Sequence, residues 1–365
     1  MDKKRNKIYV ICFAVLFFGL TIFAWLKPAD DFSATERRPL DQFPTLNAET
    51  IFSGKFMSEF EEYTLDQFPF RDTFRSLKAM THLYIFGQTD NNDVYIADGY
   101  VSKLDYPLSE KAMDNAINKF QNIYQKYIAG SDAKVYYSII PDKNCFLAEE
   151  NGYPAYAFHD MLAYMGEGLT NMTYIDIAGL LSVDDFYYTD THWKQENILD
   201  VAVTIGNAMG TPLQAEYEKV TLEIPFYGVY YGQLGLPIEA DEISYLNNAL
   251  FEHCIITNHE NGQQIPMYSM EKAEGRDPYE MFLSGSLAVI TIENPNATTD
   301  KELVIFRDSF GSSLTPLLAE GYQKITILDA RYLNEGMIGN FVTFENQDVL
   351  FIHSSGVINN ETAFK

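Results

Sequence analysis

Two short stretches of this chain hold residue types that could together attack a carbonyl. In YYTDTHWKQEN (187–197), Asp190 and His192 stand two residues apart. In extended backbone both side chains project to the same side, so the carboxylate can hold the imidazole in one tautomer. In FRDSFGSS (306–313), Ser309 directly follows an apolar strand pattern and precedes a helical one. In an open parallel sheet that is the carboxyl end of a strand, where ligands bind. A hydroxyl there lies near the backbone N–H groups of a helix N-terminus, which favour developing negative charge. A serine is almost wholly protonated at neutral pH and needs an oriented base to act as a nucleophile. An Asp–His pair is such a base.

Each stretch alone has plainer readings. Asp190 or Thr191 would serve as the N-cap of a helix beginning near Trp193, and Asp308, Ser312 or Ser313 as caps of the helix after Ser309. Asp190 and His192 as metal ligands would need partners among His159, His253, His259 or His353, which no local spacing supplies. The G-x-S-x-G elbow fails at Arg307. The weight comes from the coexistence of the two stretches in one frame.

The frame is read as α/β from about residue 91. VYIADGYVSKL reads as a hairpin around Asp98-Gly99. A helix is expected from Ser109 to Ile128, then the strand KVYYSII (134–140), ended by Pro141-Asp142-Lys143. Ile198, Val201, Ile205 and Met209 mark one face of a helix that closes at Gly210. ELVIF (302–306), the helix SLTPLLAEGY and KITILDA form a strand–helix–strand unit suited to a parallel sheet, and DVLFIH (348–353) adds a further strand. Residues 215–300 are less regular and read as an elaboration of this domain.

Before the frame, residues 28–90 read as a polar stalk followed by two amphipathic helices, around Phe52–Tyr63 and Phe70–Met80, expected to pack on the main domain; membrane-surface helices are the alternative, though Glu59, Glu61 and Glu62 make poor binders of anionic lipid. Residues 1–27 read as a membrane anchor. Lys3, Lys4, Arg5 and Lys7 precede the nineteen uncharged residues 8–26, enough at 1.5 Å per residue to cross a bilayer core of about 30 Å. The basic flank predicts a cytoplasmic N-terminus and an exported body; a cleaved signal peptide is the competing reading. The formal charge of −25 argues against nucleic acid as a partner. Cys145 and Cys254 are the thiols outside the span, free to pair or not, and no spacing suggests zinc.

TDTHW followed by a helix resembles the signature of the DHHW family, with Thr191 where the second letter is usually His. That family is similar to the alginate O-acetyltransferase proteins of the bacterial envelope, whose domains are SGNH-hydrolase-like. ERRPLDQFP with YTLDQFPFRDTF, the strand ending IIPDKNCF, and LVIFRDSFGSSLTPLLAEGYQKITILDARY agree with the resemblance, which spans most of residues 36–355. It implies an SGNH-hydrolase-like (flavodoxin-like) three-layer α/β domain with a parallel sheet over 91–365. It also implies a triad with Ser309 as nucleophile, His192 as general base and acid, and Asp190 as the orienting carboxylate.

The backbone N–H groups of Ser309 and Phe310 are then the natural oxyanion donors. Arg331 would add a charge, or pair with Asp329. Lys143 is a similar strand-end case that suits a structural role equally. Trp193 would stack on a sugar or sit in the core, and Tyr227, Tyr230 and Tyr231 would line a glycan groove or pack a strand. The function implied is an anchored, extracytoplasmic O-acyltransferase or acetylesterase on a cell-envelope polysaccharide. No cofactor is implied, and the acyl group would come from a polytopic membrane acyltransferase. A non-catalytic glycan-binding or assembly protein is the alternative.

Overall fold

The computed structural model describes residues 2–364, apart from the side chain of Asp2. The chain divides into two compact units, Met1–Asn92 with Tyr231–Ile238, and Asp93–Tyr230 with Glu239–Lys365.

The smaller unit begins with α1 (Asp2–Leu26); within Lys3–Leu26 an 18-residue stretch has a mean hydropathy of 2.4, and the helix is long and apolar enough to cross a membrane. Helices α2 (Lys55–Asp66) and α3 (Arg71–Met80) follow, and α3 runs into a π-helical turn at Thr81–Ile85. A cluster of ion pairs holds them. Arg38 grips Asp66 through two hydrogen bonds, Nη1 to Oδ2 at 2.7 Å and Nη2 to Oδ1 at 2.5 Å, while Arg71 and Arg75 both reach Glu36.

The inward face of α3 is therefore its charged face. Phe74 and Leu77, expected to be covered, are 43% and 57% exposed. The segment 231–238, read from sequence as part of the large domain, joins this unit instead. Arg75 Nη2 donates to the Gly232 carbonyl at 2.6 Å and Asn91 Nδ2 to the Leu234 carbonyl at 2.8 Å. A Cβ at Gly232 would lie 2.2 Å from the Thr35 carbonyl oxygen, so glycine is required there.

The larger unit is built on an eight-stranded sheet: β1 (Lys134–Ile140), β2 (Thr173–Tyr174), β3 (Ile255–Asn258), β4 (Gln263–Gln264), β5 (Val289–Glu293), β6 (Glu302–Arg307), β7 (Lys324–Leu328) and β8 (Asp348–Ser354). Their spatial order is β4-β3-β5-β7-β6-β8-β1-β2. β7, β6, β8, β1 and β2 pair in parallel. β5 pairs antiparallel with β7 and β3, and β3 with β4. The irregular region 215–300 thus contributes three strands to the edge of the same sheet.

The parallel strands β7, β6, β8 and β1 are buried on both faces, which is why they read as continuous apolar runs. One face carries Leu303, Ile305, Ile325 and Ile327 against α6 (Leu199–Met209) and α7 (Phe310–Leu318). The other carries Val304, Phe306, Val349 and Phe351 against α4 (Glu110–Ile123) and α5 (Phe158–Gly168). The result is a three-layer α/β sandwich.

Counted from β6, the five parallel strands stand in the flavodoxin-like order 2-1-3-4-5, with β6 first, β7 second, β8 third, β1 fourth and β2 fifth. The chain enters that order part-way through. The ends that a chain starting at β6 would join are accordingly neighbours: Ser109, the N-cap of α4, donates its amide to Asn359 Oδ1 at 2.7 Å, and the Phe120 and Phe364 rings meet edge to face at 5.4 Å.

The connection leaving β6 packs through α7 on one face, and the connection leaving β7 packs through Ile338 and Phe344 on the other. The strand order therefore reverses beside the carboxyl end of β6, the place where such sheets open a crevice. Ser309 lies there.

The Asp66 carboxyl is held down to about 2 from its ordinary 3.8, first by its hydrogen bonds from Arg38 and further by the Asp41 amide. Because the folded value is the lower one, its contribution to stability is complete above about pH 4 and is lost as pH falls toward 2. Acid unfolding of the full chain is expected to show a transition in that window, and Asp66→Asn is expected to be destabilised at pH 7 and to lose this transition. Urea melts at stepped pH check both; an unchanged acid transition in Asp66→Asn counts against the assignment.

Candidate active site

TDTHW does not start a helix. A 3-10 turn intervenes at Gln195–Asn197, and α6 begins only at Leu199. The stretch is a loop, pinned to the body so that Asp190 and His192 face Ser309. The pin is Asp241, whose carboxylate accepts from the Tyr188 amide at 2.6 Å, the Thr189 amide at 2.8 Å and Thr189 Oγ1 at 2.5 Å. Thr189 in turn accepts from the Gly228 amide at 2.7 Å through Oγ1, and from the Tyr230 amide at 3.1 Å through its carbonyl.

Asp190 is almost fully buried. Its Oδ1 accepts from His192 Nδ1 at 2.5 Å and from the His192 amide at 3.1 Å, and its Oδ2 from the Val229 amide at 2.9 Å. These donors keep the carboxylate satisfied out of water, and such charge-assisted bonds are the strong ones. They also settle the imidazole: with Nδ1–H given to Asp190, Nε2 is the bare nitrogen, and it lies 2.7 Å from Ser309 Oγ.

Ser309 occupies the first position before α7, yet its hydroxyl makes no capping bond. Asp308 performs that task. Its Oδ1 accepts from the Phe310 amide at 3.0 Å, and its Oδ2 accepts from the Ser354 amide at 2.7 Å and Ser354 Oγ at 2.8 Å, tying the turn after β6 to the end of β8. Freed from capping, the Ser309 hydroxyl is left to His192.

The imidazole is held from the side as well. The Tyr279 ring lies parallel to it, 3.8 Å away with an 8° interplanar angle, and Tyr279 Oη is 2.8 Å from Ser313 Oγ in the first turn of α7. Trp193 Nε1 donates to Ser313 Oγ at 2.9 Å and the Phe310 carbonyl at 3.2 Å, and Gln195 Nε2 donates to the Ser313 carbonyl at 2.7 Å. The two stretches that hold these residues are thus bolted to each other beside the Ser309–His192 contact.

The other candidates are placed as follows. Trp193 is fully buried and serves as one of those bolts, so it offers no face to a sugar. The Phe310 amide is engaged by Asp308, which removes it as a free oxyanion donor. Arg331 makes a two-pronged bond to Asp329, Nε to Oδ1 at 2.9 Å and Nη2 to Oδ2 at 2.7 Å, so its charge is matched locally.

Lys143 is fully buried, and Nζ donates to the carbonyls of Val101 at 2.6 Å and Tyr187 at 2.8 Å. Burial pushes its ammonium down to about 8. It braces the loop leading to Asp190. Tyr230 is buried with its hydroxyl on Thr191 Oγ1 at 3.1 Å, while Tyr227 is 40% exposed. Tyr231 is half-buried in the segment that belongs to the smaller unit. Cys145 and Cys254 are free thiols.

No family model matches the chain, and no curated protein matches it. Solved structures do. A DHHW family protein from Eubacterium siraeum superposes with a TM-score of 0.62 at 20% identity, over 75% of this chain and 94% of that one. This chain has the fold of that DHHW family protein. Bacillus cereus PatB1, in a structure with a sulfonyl adduct, superposes with a TM-score of 0.57 at 17% identity, over 74% of this chain and 98% of that one. At a TM-score of 0.44 and 11% identity, over 73% of this chain and 92% of that one, the likeness to the O-acetyltransferase domain of Pseudomonas putida AlgJ is too loose to argue from.

A Cβ at Gly228 would lie 2.3 Å from the Asp190 amide nitrogen and Cα. Gly228→Ala must displace the backbone that carries the carboxylate, and is expected to cost about 1–3 kcal/mol. Gly179, with open space around its Cβ position, is the control, expected to be neutral on replacement by Ala. Denaturant melts of the two variants check this; equal stabilities would show that Gly228 does not support Asp190.

Proposed function

We propose that the chain is a membrane-anchored, extracytoplasmic O-acyltransferase, acting with acetyl groups on a cell-envelope polysaccharide through Ser309, His192 and Asp190. The observation that carries the reading is the series of two short contacts, 2.5 Å from Asp190 to His192 and 2.7 Å from His192 to Ser309. Ser309 is half-buried and keeps an open side, whereas Asp190 is sealed from water. That division suits a nucleophile and its orienting acid. The resemblance of TDTHW to the DHHW signature supports the substrate class.

The chemistry follows from the atoms present. His192 Nε2 takes the Ser309 proton as Oγ attacks the acyl carbonyl, and the imidazolium that forms is balanced by Asp190. The Ser309 amide is the backbone donor we assign to the oxyanion. Collapse releases the donor's alcohol with the proton from His192 and leaves acyl-Ser309. A sugar hydroxyl then gives its proton to Nε2, attacks the acyl carbon, and restores Ser309. Water in place of the sugar gives an esterase. The donor would be presented by a polytopic membrane acyltransferase, since activated acetyl groups are made in the cytoplasm.

Helix α1 is read as an uncleaved anchor with Lys3, Lys4, Arg5 and Lys7 on the cytoplasmic side.

Detergent-solubilised full-length protein is expected to hydrolyse an activated acetyl ester. Ser309→Ala and His192→Ala are expected to reduce kcat by about 10³-fold or more, and Asp190→Asn by about 10²–10⁴-fold. Wild-type rates in Ser309→Ala or His192→Ala would overturn the assignment. Saturable polysaccharide binding with no turnover would favour a glycan-binding protein instead.

A further inference from the structure

The smaller unit presents an inside-out helix. Along α3 and the turn that continues it, Phe70, Phe74, Leu77 and Tyr84 recur at spacings of four, three and seven residues, with Ile85 beside Tyr84, and form one face. All five are exposed, by 63%, 43%, 57%, 74% and 74%. The opposite face holds Arg71 and Arg75, whose guanidiniums turn inward to Glu36, and Ala79, which is fully buried. A helix that turns its two arginines inward and shows its aromatic rings is not built to face water on that side.

The position of this stripe tells what covers it. The Phe70 ring stacks on Phe23 of α1, with centroids 5.8 Å apart and planes 17° apart. Phe23 lies three residues from the end of α1 at Leu26, which is about 4–5 Å inside the end of the span. The apolar stripe therefore begins at the depth where the membrane-crossing helix leaves the bilayer, and it is continuous with the surface that α1 gives to lipid.

Charge agrees. Within residues 70–86 Arg71, Arg75 and Lys78 outnumber Asp72, in a chain whose formal charge is −25. In contrast, α2 carries Glu59, Glu61 and Glu62, which suit the aqueous side. With both arginines paired to Glu36 and Lys78 exposed at its edge, the aromatic face carries no charge of its own, as a helix lying in the membrane interface requires.

We infer that residues 68–86 form a second, in-plane membrane contact, with Phe70, Phe74, Leu77, Tyr84 and Ile85 inserted among the lipids of the bilayer that α1 crosses. The inference rests on reading α1 as an anchor. It makes the smaller unit a monotopic foot, so that α1 is not a lone tether on a flexible stalk.

The test uses the full-length chain in nanodiscs of phosphatidylcholine and phosphatidylglycerol, with a diazirine in one acyl chain, and maps carbene adducts by peptide mass spectrometry. Adducts are expected on residues 8–26 and on 70–85, with none on Glu61–Glu62. Leu77→Glu should lose the adducts on 70–85 and keep those on α1, because a carboxylate at that depth is strongly disfavoured. Adducts on α1 with none on 70–85 overturn the foot and leave the anchor standing. Adducts on neither overturn both. A disulfide between two copies of Phe74→Cys, together with loss of lipid adducts from 70–85, assigns the stripe to a second copy and likewise overturns the foot.

Discussion

The contact on which the chemistry proposed for the larger unit depends is the 2.5 Å hydrogen bond between buried Asp190 and His192 Nδ1. A carboxylate this well hidden is tolerable only when its oxygens are answered, and the fold answers them with backbone amides of Val229 and His192 as well as with the ring. Those amides are in place because Asp241 and Thr189 fix the loop on one side and Gly228 lets the chain pass within van der Waals distance on the other. The imidazole orientation, and with it the approach of Nε2 to Ser309, follows from where that carboxylate is held.

The serine side is prepared by a separate device. Asp308 takes over the capping of α7 and ties the turn to β8, so Ser309 sits at the switch point of the sheet with its hydroxyl unspent. Trp193, Gln195, Ser313 and Tyr279 then lock the two devices together. Side-chain positions separated by more than a hundred residues are in this way held to hydrogen-bond precision by packed, buried groups, which catalysis by positioning requires.

Much of this was legible in the sequence, and for a reason. A strand followed at once by a serine and a helix is a local signal, as is an acid two residues before a histidine, and both stretches could be paired on chemistry alone. The supporting residues carry no such signal. Asp241 and Tyr279 reach the site from the region 215–300, whose short strands and turns lack a period, and Gly228 matters only because of what lies 2.3 Å from its missing Cβ. Strand order was equally hidden, because apolar runs mark strands but not neighbours; the entry of the chain midway through a flavodoxin-like order emerges only from the pairing. The helix α3 shows the converse limit. Its apolar face could be read from spacing, but periodicity does not say whether such a face meets a protein core or a bilayer.

If Ser309 is the nucleophile, its covalent state is the plainest witness. Full-length protein incubated briefly with an activated acetyl ester at neutral pH, quenched in acid and digested, should yield the peptide containing Ser309 with one acetyl group, absent from Ser309→Ala and slow to form in His192→Ala. An acetyl group found on another residue, or none under conditions where the ester is consumed, would show that Ser309 is not the nucleophile.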